Sequence, residues 1–96
     1  MRFYDELIRL APTLGACVSR AAAIAELRGP AAGLAALDEI PPDAVTAYQP
    51  YWAVRAHLLA GSNQADAARQ AYTRAIGLSE DEAVRRFLMR REQALA

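Results

Sequence analysis

A chain of 96 residues with zero formal net charge holds one small domain and argues against a whole-domain nucleic-acid binder. All 11 basic residues are arginine, and the single cysteine excludes an internal disulfide and a cysteine metal cluster. Apolar residues make up 54% of the chain, but alanine is by far the commonest of them, and it favours helix and gives little bulk to a core.

The missing bulk must come from Phe3, Tyr4, Tyr48, Tyr51, Trp52, Tyr72 and Phe87, with scattered Leu and Ile. No run is long enough to span a bilayer, and no basic start leads into an apolar stretch, so a soluble cytoplasmic protein is expected.

Residues 2–11 place Phe3, Tyr4, Leu7, Ile8 and Leu10 on one helical stripe. Pro12 ends it, because a residue before proline is pushed out of the helical region. A second helix takes 14–28. Gly29 closes it and Pro30 opens a third over 30–39, with Leu34 and Leu37 as its larger apolar residues. Pro41-Pro42 stops that helix. The stretch 40–49 is long for a helix–helix connection, so it is either packed by Ile40, Val45 and Tyr48 or functional.

A fourth helix takes 50–60, where Tyr48, Tyr51, Trp52, Arg55, Ala56 and Leu59 share one helical stripe. After Gly61-Ser62-Asn63 comes a fifth over 64–77, with Asn63 and Asp66 as its N-terminal cap and Gly77 as its stop. Ala68, Ala71, Tyr72, Ala75 and Ile76 form its stripe. Ser79-Glu80-Asp81-Glu82 reads as a capping box for a sixth helix over 80–95. The thin stripe of that helix is Val84, Phe87, Leu88 and Leu95.

Helices joined by so short a break as Gly61-Ser62-Asn63 must fold back on each other. The order Trp52, Ala56, Leu59, Ala68, Tyr72, Ala75 resembles the tetratricopeptide pattern. Val18, Ala22, Ala25 and Gly29 lie 34 residues before Trp52, Ala56, Leu59 and Asn63, one repeat length. Tyr4, Leu7, Ile8 and Leu10 lie 68 residues, two repeat lengths, before Tyr72, Ala75, Ile76 and Leu78. The pattern degrades in the third helix, where Asp38 and Pro41 stand at the places of Tyr72 and Ala75. The expected fold is all-α, a single domain of about six antiparallel helices in tetratricopeptide-like hairpins, an α-solenoid with a curved surface. Residues 2–11 then form the back half of a pair whose front half lies upstream, as in a fragment or C-terminal domain of a longer protein.

Residues that carry chemistry are scarce. His57 is the lone histidine, without a second imidazole or a thiolate to complete a metal site. No nucleophile elbow accompanies Ser19 or Ser62. Cys17 lies among small apolar residues and reads as a buried, inert thiol. In the pairs Asp5-Glu6 and Asp38-Glu39, consecutive residues point about 100° apart on a helix and so do not face one substrate. Gly29-Pro30-Ala31-Ala32-Gly33 lacks the Lys and hydroxyl of a nucleotide loop and reads as punctuation. No catalytic residue, cofactor, metal or small-molecule substrate is expected. Arg85, Arg86, Arg90 and Arg91 read as a solvated face, with phosphate contact as the alternative.

The run Leu7 to Pro12, followed by Arg20 to Leu34, resembles the C-terminal extension of one group of bacterial extracytoplasmic-function sigma factors. In that group a tetratricopeptide-like helical domain follows the two sigma domains. Ala67 to Leu78 and Arg85 to Arg91 resemble its later helices, so the resemblance covers nearly the whole chain. Its most specific part is Ala25-Glu26-Leu27-Arg28-Gly29-Pro30-Ala31-Ala32-Gly33-Leu34.

The resemblance implies a regulatory or interaction domain that contacts the sigma core, RNA polymerase or a regulator and so modulates transcription initiation. The promoter-reading and polymerase-binding sigma domains are not within these residues, so no direct promoter recognition is expected, and no membrane contact. Helix-pair geometry puts Ser19, Ala23, Glu26, Ala53 and His57, with Arg91, on the partner-binding groove. At Ser19 the group tends to carry an amide side chain. Two other readings are a free-standing adaptor for another partner's peptide and a helical nucleic-acid-binding domain using the last helix's arginines.

Overall fold

Six helices make up most of residues 13–95, the part of the chain that the computed structural model describes. They are α1 (Leu14–Arg28), α2 (Pro30–Asp38), α3 (Pro42–Val45), α4 (Gln49–Gly61), α5 (Ala65–Leu78) and α6 (Glu82–Gln93). No strand occurs among the described residues. The helix expected over 2–11, with Phe3, Tyr4, Leu7, Ile8 and Leu10, lies outside them. One of the six, α3, falls in the stretch that the sequence leaves as a connection.

Thr13 starts α1 by turning extended, and its Oγ1 accepts the Ala16 N–H at 3.1 Å. Gly29 ends it at φ 100°, donating its N–H to the Ala25 carbonyl at 2.8 Å. Only glycine holds that backbone without strain, and Pro30 then begins α2 at a position that needs no N–H donor. Gly33 is more than punctuation. A Cβ there would meet the Ala25 Cβ at 2.6 Å and the Ala21 carbonyl oxygen at 3.0 Å, so α1 and α2 touch through its bare backbone.

The connection from 40 to 48 is packed. Ile40 and Val45 are 7% and 2% exposed, and Tyr48 is half-buried. Pro42 sits at the first position of the single turn α3, as its fixed φ suits. The Trp52 indole N–H donates to the Val45 carbonyl at 2.9 Å, and Arg74 donates to the Thr46 carbonyl at 2.8 Å. These bonds tie the segment to α4 and α5.

Helix α4 packs against α5, α1 against α2 and α5 against α6, while α1 and α2 both touch α4. Ala21, Ala56, Ala68 and Ala75 are fully buried and let the helices approach closely. Larger side chains fill what remains, among them Leu37, Leu58, Leu59, Tyr51 and Tyr72. The Tyr51 ring stands edge-on to Trp52, with centroids 5.0 Å apart. Trp52 and Cys17 are half-buried rather than sealed in, and the Arg74 guanidinium lies 5.3 Å above the Trp52 ring.

Several end signals act elsewhere than the sequence suggests. Asn63 does not cap α5. It takes φ 61° to close the turn after α4, Gln64 occupies the cap position without a side-chain bond, and Asp66 pairs with Arg69 at 3.1 Å. Gly77 lies inside α5, which continues to Leu78. The Ser79 capping box is not used. Ser79 is buried and donates its hydroxyl to the Ala75 carbonyl at 2.8 Å. Asp81, whose carboxylate is the stronger acceptor, takes the Ala83 and Val84 N–H groups at 2.8 and 3.3 Å and starts α6.

Candidate functional site

A groove of about 520 Å³ lies between α1, α4 and α6, with alanines of α1 and α4 among its walls. Ala22, Ala25 and Glu26 line it from α1, Ala53, Val54, His57 and Leu58 from α4, and Phe87, Leu88 and Arg91 from α6. Pro30 and Tyr72 complete the lining. A second hollow of about 550 Å³ runs past Ala60, Asn63, Ala65 and Leu95 and shares Tyr72 and Arg91 with the first.

Arg91 Nη2 lies 2.8 Å from His57 Nδ1, across 34 residues of chain. A guanidinium has only donors, so His57 Nδ1 is the acceptor and the imidazole proton sits on Nε2. The Arg91 Cζ also lies 5.6 Å from the centre of the Phe87 ring, which is 52% exposed. The cation is thus held between a lone pair and a ring face.

The groove brings together Glu26, Ala53, His57 and Arg91 of the residues that helix-pair geometry nominates. Ser19 is exposed and Ala23 half-buried on α1, and neither lines the hollow. Sequence reasoning missed Phe87 and Tyr72 as groove residues, assigning both to apolar stripes. A signal for Phe87 was present, since it follows Ala53 at the same offset that separates Arg91 from His57.

The arginines of α6 do not act as one cluster. Arg85 donates to the Ile76 and Ser79 carbonyls at 3.0 and 3.4 Å, satisfying the C-terminal end of α5. Arg91 faces the groove. Arg86 and Arg90 lie with Met89 around a separate shallow hollow. Among the described residues no group of His, Cys, Asp or Glu is placed to hold a metal ion, and no helix is long and apolar enough to cross a membrane. The site combines apolar walls, a held cation and a carboxylate at Glu26, an arrangement suited to binding.

No family model matches the chain, and no curated protein or solved structure matches it either.

Proposed function

We propose that the chain is a protein-interaction domain of tetratricopeptide-like hairpins, akin to the C-terminal extension of extracytoplasmic-function sigma factors. It modulates transcription initiation by contacting the sigma core, RNA polymerase or a regulator. It works by binding rather than catalysis, in the cytoplasm where polymerase acts.

The observation that carries this reading is the contact between His57 and Arg91, 34 residues apart. One tetratricopeptide repeat length separates equivalent positions on successive first helices, and such positions line a shared concave face. The contact of α1 with α4 supports the same stacking one repeat earlier. The run Ala25 to Leu34, which carries the resemblance, forms the α1–α2 corner and reaches the groove at Ala25, Glu26 and Pro30.

Titration calorimetry of the purified chain against sigma core domains, and separately against core RNA polymerase, tests the proposal. Saturable binding to at least one is expected. Absence of binding to both would end the sigma-factor reading.

A further inference from the structure

We infer that the groove recognises an acidic apolar peptide: a protein segment that sets an Asp or Glu carboxylate on Arg91 and apolar side chains against Phe87. The inference rests on the interaction-domain reading and adds the chemistry of the partner.

Arg91 is the anchor. Among the described residues no carboxylate lies within ion-pair distance of it, whereas Arg20, Arg55 and Arg69 each pair with one. Its contact with His57 uses one donor of five, leaving N–H groups to accept a carboxylate fork. The imidazole and the Phe87 ring already hold the guanidinium in place, which lowers the ordering cost of binding. Apolar side chains of Ala53, Val54, Leu58 and Phe87 line the same hollow, so the segment that pairs with Arg91 also meets apolar surface.

Tyr72 lines both hollows, and its hydroxyl makes no hydrogen bond among the described residues and reaches solvent. Because the hollows meet at Arg91 and Tyr72, the combined trough suits an extended segment better than a small anion. Glu26 on the α1 wall repels a second carboxylate, so the favoured segment has one acid among apolar residues rather than an acidic run.

Selection of a randomised peptide library on the immobilised chain tests this. Enriched sequences should share a single Asp or Glu flanked by Leu, Ile, Val or Phe. Replacing that acid with its amide, or Arg91→Ala in the protein, should each weaken binding about 10- to 100-fold, the loss of a charge-assisted hydrogen bond. The two changes together should weaken it little further. Arg91 is exposed, so Arg91→Ala should keep the melting curve of the wild type, and His57→Phe should weaken binding less than Arg91→Ala.

Enrichment without an acid, no enrichment, or an amide peptide that binds equally well would overturn the inference. So would displacement of the peptide by inorganic phosphate at the peptide's own concentration, or self-association of the chain that fills the groove in sedimentation experiments. If sigma core or polymerase binds the Arg91→Ala protein as well as wild type, this inference fails and the proposed function stands. Acid-dependent peptide capture without binding to either leaves the reverse.

Discussion

Gly33 marks where the molecule has least room. A methyl group there would lie 2.6 Å from the Ala25 Cβ, 2.9 Å from Leu58 Cδ1 and 3.0 Å from the Ala21 carbonyl oxygen. Leu58 can turn aside, but backbone and an alanine Cβ move only with their helix. Gly33→Ala should therefore cost about 1–3 kcal/mol by overpacking, against a gain of about 1 kcal/mol in helix propensity. Its melting temperature by circular dichroism should fall, and a rise would show that α1 and α2 can part freely. Trp52 acts through its donor as well as its bulk. Trp52→Phe leaves the Val45 carbonyl without the indole N–H at 2.9 Å and should lower the urea-unfolding free energy by about 1 kcal/mol. An unchanged unfolding midpoint and slope would mean that water replaces the bond at no cost.

At the scale of elements, α6 begins two residues later than the capping box at Ser79 implies, with Asp81 as its cap. The N–H groups of Ala83 and Val84 go to Asp81. Asp81→Ala should lower stability by about 1 kcal/mol in urea titration, and the carboxylate should not be replaceable by Ser79. If Ser79→Ala destabilised the chain while Asp81→Ala did not, the capping assignment would be wrong.

The body of each longer helix was legible because alanine-rich stripes recur at helical spacing and Gly29-Pro30 leaves the backbone little choice. Asn63 and Gly77 were misread because a turn residue near a helix end fits more than one position, and tertiary contact picks between them. Helix α3 was hidden because a single turn, Pro42–Val45, is too short to display a period.

Over the whole molecule, groove residues were legible to the extent that the repeat offset reaches them. His57 and Arg91 meet as that offset implies, and Glu26 and Ala53 face the same hollow. Ser19 and Ala23 satisfy the spacing but stand outside the hollow, since spacing fixes a face and not how far along it a groove extends. The α6 arginines separate because neighbours on a helix point to different sides, and only Arg86 and Arg90 share the outer hollow. Arg86→Ala with Arg90→Ala should therefore leave sigma-core or polymerase affinity unchanged in calorimetry, and a large loss would move the interface to that outer side.

The most direct measurement follows the backbone amide resonances of the chain during titration with sigma core domains. The largest shifts are expected at Glu26, Ala53, His57, Phe87 and Arg91, which line the groove. Shifts confined to Arg86, Met89 and Arg90, or none at saturating partner, would contradict a molecule built around its groove.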